Sequence, residues 1–134
     1  MTDLSASSSL PVDVLVVEDD IQLRGLVERI LLRAGHRVLL AGDGATAFAM
    51  LAEHGDSLSA AYLDLTLPDM RGERVLERLR ERHPTMRVVL TSGEDPPATP
   101  LPLDAVTTFL AKPFLVRELC DAFSLRRADV PPAG

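Results

Sequence analysis

Short apolar runs separated by amphipathic stretches constrain this chain more than any other feature. Five runs, at 12–17, 37–41 (RVLLA), 60–63 (AAYL), 87–91 (RVVLT) and 106–111 (VTTFLA), are strand-length and mostly apolar, the pattern of strands buried on both faces. Most are followed by a segment of helical period. Ile21, Leu23, Leu26, Val27, Ile30 and Leu31 share one face and stop at Gly35. The segment 44–53 closes near Gly55, and 72–83 carries Val75, Leu76 and Leu79 on one face and ends at Pro84. A last helix over 115–126 is built on Leu115, Leu119, Ala122, Phe123 and Leu125. Buried strands alternating with amphipathic helices form a parallel sheet covered on both sides, and right-handed crossovers leave few topologies. The expected class is α/β, a doubly wound five-stranded parallel sheet.

Length and charge narrow the setting. With 134 residues the chain predicts one domain, large enough to bury a core without staples. We expect a Ser-rich disordered leader at 1–11, a folded domain at 12–126 and a flexible tail at 127–134. Cys120 is the single cysteine, so no internal disulfide is available. The net charge of −6 argues against a nucleic-acid groove or an anionic membrane as partner. No apolar run approaches the ~20 residues of a membrane span. The start, MTDLSASSSLP, lacks the basic and apolar regions of a signal peptide. The expectation is a cytoplasmic protein, its Met start and short tails fitting a complete small chain.

In open sheets of this kind, sites form beyond the carboxyl ends of the strands. Those ends carry Glu18-Asp19-Asp20, Asp64, Thr91-Ser92-Gly93 and Lys112-Pro113. Lys112 is the only lysine beside thirteen arginines. Each feature has an ordinary reading: Asp19 or Asp20 as a helix cap, Asp64 as a turn residue, Lys112 as a surface cation. Their joint occurrence, each at a different strand end, points to a shared pocket. Crowded carboxylates raise each other's pKa or recruit a cation, and oxygen ligands without His or Cys suit Mg²⁺. A lysine and a hydroxyl beside such a metal suggest that the anion held is a phosphoryl group.

Four motifs, LVVEDD, LDLTLPDMRG, LTSG and FLAKPF, in this order and spacing, resemble the receiver domain of two-component response regulators. The resemblance covers 12–126 and implies a flavodoxin-like sheet of order 2-1-3-4-5. It implies that Asp64 accepts the phosphoryl group and that Glu18 and Asp19 form the acidic pair for Mg²⁺. Asp19 and Asp64 would then be the direct ligands, joined by the backbone carbonyl of Thr66. Lys112 matches the lysine on the phosphoryl oxygens, with Pro113 after a cis bond, and Phe109 matches the switch aromatic. Ser92 matches the switch hydroxyl, with Thr91 as alternative. The implied function is a stand-alone phosphorylation-dependent switch without an effector domain, catalysing at most its own phosphorylation and dephosphorylation. Its partners would be a histidine kinase or histidine phosphotransfer protein and an unidentified downstream protein, with the chain a monomer or weak dimer. The alternative is a degenerate receiver acting as a phosphorylation-independent interaction module, against which intact Asp19, Asp64 and Lys112 speak. A phosphatase of the haloacid dehalogenase type needs a second Asp where Thr66 stands, and a dinucleotide-binding domain needs a Gly-rich turn after the first strand. Excision from a hybrid kinase remains compatible with the motifs.

The chain departs from the family pattern in two places. Glu18 stands where many members have Asp, one methylene shorter. The family's fourth helix falls on 94–104, where Pro96, Pro97, Pro100 and Pro102 oppose a regular helix at about 3 kcal/mol for each interior proline. That helix is expected to be degraded or missing and the family's usual dimer face altered, with partners meeting the last helix and this segment instead. Amide exchange over 93–106, with and without beryllofluoride, checks this. Fast exchange that changes between states is expected, and a protected helix of two or more turns, unchanged between states, would refute it.

Overall fold

The computed structural model describes residues 13–93 and 103–123. It has β1 (Asp13–Val17), α1 (Ile21–Arg33), β2 (Arg37–Ala41), α2 (Gly44–His54), a single 3-10 turn (Gly55–Ser57), β3 (Leu58–Asp64), α3 (Gly72–Arg82), β4 (Arg87–Ser92), β5 (Thr107–Ala111) and α4 (Val116–Ala122). The five strands form one parallel sheet in the order β2-β1-β3-β4-β5, as the resemblance implies. Among the described residues there are four α-helices, the last one short. The expected leader, the tail from 127 and nearly all of the proline-rich stretch, at 94–102, lie outside the described residues.

Alternation along the strands builds two cores. On one face Leu15, Val17, Ala61, Leu63, Val88 and Leu90 pack with Ala47 and Leu51 of α2 and Val75, Leu76 and Leu79 of α3. On the other Val14, Val16, Ala60, Tyr62, Val89 and Leu110 pack with Val27 and Leu31 of α1 and Leu119 of α4. Burial on both faces explains why the strands read as continuous apolar runs.

Helix ends follow local chemistry. Asp20 caps α1, its carboxylate accepting from the Leu23 amide at 3.0 Å, which leaves Asp19 outside the helix. After α1 the chain turns through Gly35 at φ 94°, a left-handed conformation that suits glycine, while the His36 amide bonds the Leu31 carbonyl at 3.1 Å. The α2 N-terminus is held twice. Asp43 accepts from Thr46 N, and Asp69, on the β3–α3 loop, accepts from Gly44 N at 2.8 Å and Ala45 N at 3.0 Å. The Gly44 and Ala45 amides keep the Asp69 carboxyl below the usual carboxylate range. The sequence pattern starts the third strand at 60; it starts at Leu58, whose partner is Asp13 across a shift in register. The last helix begins one residue later than expected, because the Leu115 amide is taken by the Glu118 side chain at 2.7 Å.

At the far end of the sheet Arg80 replaces a helix cap. Its guanidinium donates to the carbonyls of His83 (3.0 Å), Met86 (2.6 Å) and Val106 (3.3 Å) and to the Thr107 hydroxyl, joining α3 to the starts of β4 and β5. At the near end Gly72 donates to the Leu65 carbonyl at 2.9 Å. A Cβ on Gly72 would meet the Asp64 carbonyl oxygen and sit 2.6 Å from Leu65 Cα, so α3 starts in direct contact with the backbone that follows β3. Gly72→Ala is expected to cost about 1–3 kcal/mol in urea unfolding, as overpacking does, and to move the Asp64 and Leu65 amide signals. Wild-type stability with unmoved signals would show that the contact has slack.

Candidate functional site

The sheet order places the ends of β1 and β3 side by side, with Val17 opposite Leu63, so the next residues, Glu18 and Asp64, are neighbours. β4 lies on the other side of β3, pairing Asp64 with Thr91, and β5 follows, pairing Ser92 with Ala111 just before Lys112. The four strand ends therefore meet at one edge of the sheet. Carboxylate oxygens of Glu18, Asp19 and Asp64 lie within 4.8 Å of one another.

Lys112 holds this group together. Its Nζ donates to Asp64 Oδ2 at 2.9 Å and to Glu18, 3.0 Å from Oε1 and 3.1 Å from Oε2. Both acids are buried, Glu18 entirely. Burial pushes the Glu18 carboxyl above its ordinary pKa; the Tyr62 hydroxyl opposes this and Asp64 adds to it. Burial also disfavours the Lys112 charge, but its hydrogen bonds to Asp64 and Glu18 outweigh that and raise its pKa. Asp64 Oδ1 accepts from the Thr66 amide at 2.9 Å, so the loop residue expected to offer its carbonyl is tied to the acid it would serve. Asp19 is exposed and, alone of the three acids, accepts no hydrogen bond among the described residues. A hard divalent cation fits here: clustered oxygens, one carboxylate without a donor, and no His or Cys in the group.

The two candidate hydroxyls face opposite ways. Strand alternation puts Thr91 on the Tyr62 side of the sheet and Ser92 on the Leu90 side. Phe109 pairs with Leu90 and packs, half-buried, against that same core, so Ser92 and Phe109 share a face. The Lys112-Pro113 bond is cis, as expected.

Three residues that shape the site have no role in the sequence analysis: Tyr62 and Arg24 lie outside the four motifs, and Asp69 lies within LDLTLPDMRG. Tyr62 donates to Glu18 Oε1 at 2.7 Å. Arg24 reaches back from α1 to the Glu18 carbonyl at 2.9 Å, over Gly42, where a Cβ would lie 2.8 Å from its Nη1. Asp69 fixes the loop after Thr66 to α2. Of these, Asp69 left a signal in the sequence as a member of LDLTLPDMRG, and Tyr62 as the single tyrosine two residues before Asp64.

Asp19→Asn is expected to weaken Mg²⁺ at least about tenfold by calorimetry while slightly raising stability without metal, because it relieves repulsion among the acids. Unchanged affinity would remove Asp19 from the metal group.

Comparison with known proteins agrees with this geometry. The family model described as response regulator receiver domain matches residues 14–124. The chain is 37% identical over 120 residues to the sensor kinase CckA of Brucella abortus, covering 88% of this chain and 12% of that protein. It is 34% identical over 113 residues to the probable transcriptional regulatory protein TcrX of Mycobacterium tuberculosis, covering 81% and 47%. The chain thus spans less than half the length of these curated relatives. Among solved structures, a response regulator receiver protein from Sinorhizobium medicae aligns with TM-score 0.75 at 28% identity, covering 86% of this chain and 93% of that one. The receiver domain of the hybrid histidine kinase CckA aligns at 0.71 with 25% identity, covering 89% and 99%. Among the described residues no helix is long and apolar enough to cross a membrane.

Proposed function

This chain belongs to the response regulator receiver domain family, and from that premise we propose that it is a phosphorylation-dependent switch whose phosphoryl acceptor is Asp64. The donor is a histidine kinase or histidine phosphotransfer protein of the cytoplasm, and the chain catalyses at most its own phosphorylation and dephosphorylation. The observation that carries this reading is the Lys112 ammonium 2.9 Å from Asp64 Oδ2, beside two further carboxylates.

The chemistry follows from charge. An Asp64 oxygen attacks the phosphorus of a phosphohistidine, a P–O bond forms, and the P–N bond breaks with its electron pair leaving on the imidazole. Both reactants are anionic, so the step needs positive charge at the transferring group. Lys112 supplies one cation. The residues that would hold Mg²⁺ are Asp19, Asp64 and the Thr66 carbonyl, with Glu18 beside them, and the bound ion would neutralise phosphoryl oxygens. Once Asp64 carries the phosphoryl group as an acyl phosphate, Lys112 is free to follow the new oxygens. Ser92 would bond one of them, giving the phosphorylated state the differential contact a population shift requires. Phe109, which packs on the same face, would be the side chain that responds. Water attack at phosphorus then breaks the P–O bond to Asp64, which releases inorganic phosphate and restores the carboxylate.

A phosphorylation-independent interaction module is the weaker reading, because Asp19, Asp64 and Lys112 are all present and assembled. Incubation with acetyl phosphate and Mg²⁺, read by intact mass, tests the proposal. One phosphoryl mass is expected on wild type and none with chelator or in Asp64→Asn. Equal labelling of Asp64→Asn, or none of wild type, would overturn it.

A further inference from the structure

We propose that Tyr62 is a positioning residue for Lys112, acting through Glu18: its hydroxyl occupies Glu18 Oε1 so that the ammonium stays shared with Asp64. The inference rests on the reading of Asp64 as the phosphoryl acceptor and adds a residue to it.

Tyr62 is fully buried in the core between the sheet and α1 and α4, on the strand that ends in Asp64. Its ring meets Phe114 edge to face, centroids 6.3 Å apart at 67°, which sets the direction of the hydroxyl. That hydroxyl donates to Glu18 Oε1 at 2.7 Å. Oε2 accepts from the Asp20 amide at 3.2 Å. Each Glu18 oxygen therefore has one uncharged protein donor, and Lys112 Nζ lies close to both, 3.0 and 3.1 Å away, while bonding Asp64 at 2.9 Å.

A buried carboxylate short of donors competes harder for the nearest cation. Without the Tyr62 hydroxyl, Lys112 would be the sole donor to Glu18 Oε1 among the described residues, and the ammonium would be drawn from Asp64 toward Glu18. The same geometry accounts for the glutamate. An aspartate at 18 is one methylene shorter, and from the same backbone position it falls short of the phenol, which loses its carboxylate acceptor. Glu18 and Tyr62 are therefore one unit, and changing either alone is worse than changing both.

The test is a double-mutant cycle of wild type, Tyr62→Phe, Glu18→Asp and the double variant. Three quantities are read: acetyl phosphate labelling rate, Mg²⁺ affinity by calorimetry without donor, and the Cε–Hε signal of lysine-labelled protein, which has one lysine. Tyr62→Phe is expected to slow labelling roughly fivefold, as loss of one hydrogen bond does, while Mg²⁺ affinity stays within about twofold. The Lys112 signal should move. Glu18→Asp should label more slowly than the double variant. Additive effects, an unmoved Lys112 signal in Tyr62→Phe, or equal losses of rate and Mg²⁺ affinity would each overturn the proposal. If wild type is not labelled, the functional reading fails, and the lysine signal and calorimetry still decide the role of Tyr62.

Discussion

One ammonium group between two buried carboxylates is the interaction on which the site depends. Glu18 follows β1 and Asp64 ends β3, two adjacent parallel strands, and the sheet leaves them no way to separate. Two like charges out of water at this spacing are unfavourable unless a cation is shared between them. Lys112 is that cation, delivered from the opposite side of β3 by the end of β5. It is also the chain's only lysine. A compact charge on a flexible stem can follow an oxygen that moves, whereas the planar fork of arginine is matched to one geometry.

The fold surrounds this contact with devices that keep backbone still near it. Arg24 holds the Glu18 carbonyl, Gly72 lets α3 start against the Asp64 carbonyl, and Asp69 ties the intervening loop to α2. None of them touches the acid oxygens. They hold the chain that carries the oxygens, which is the support a site needs when its members come from different strands.

Much of this was legible in the sequence because it is periodic or terminal. Strands buried on both faces read as apolar runs, and the residues just after them, Glu18, Asp64 and Lys112, could be named without coordinates. The expected order 2-1-3-4-5 came with the motifs and is the order found. Asp20 rather than Asp19 caps α1, which only the backbone could decide. The partners of side-chain bonds between distant segments left no trace in local pattern: Val106 for Arg80, Gly44 for Asp69, Glu18 for Tyr62. The first two residues of β3 escaped notice because LS breaks the apolar run and Leu58 pairs across a register shift. The choice between Ser92 and Thr91 as switch hydroxyl was open from spacing alone; the sheet separates them by face, with Ser92 on that of Phe109.

Arg80 has a mechanical corollary. It grips Val106 and Thr107, the start of β5, while Lys112 follows the other end of the same strand. β5 is thus an edge strand pinned at its root with its tip at the site. A pull on the tip cannot slide the strand lengthwise. It has to be absorbed as a pivot about the Arg80 anchor, and Phe109 sits midway along that lever arm.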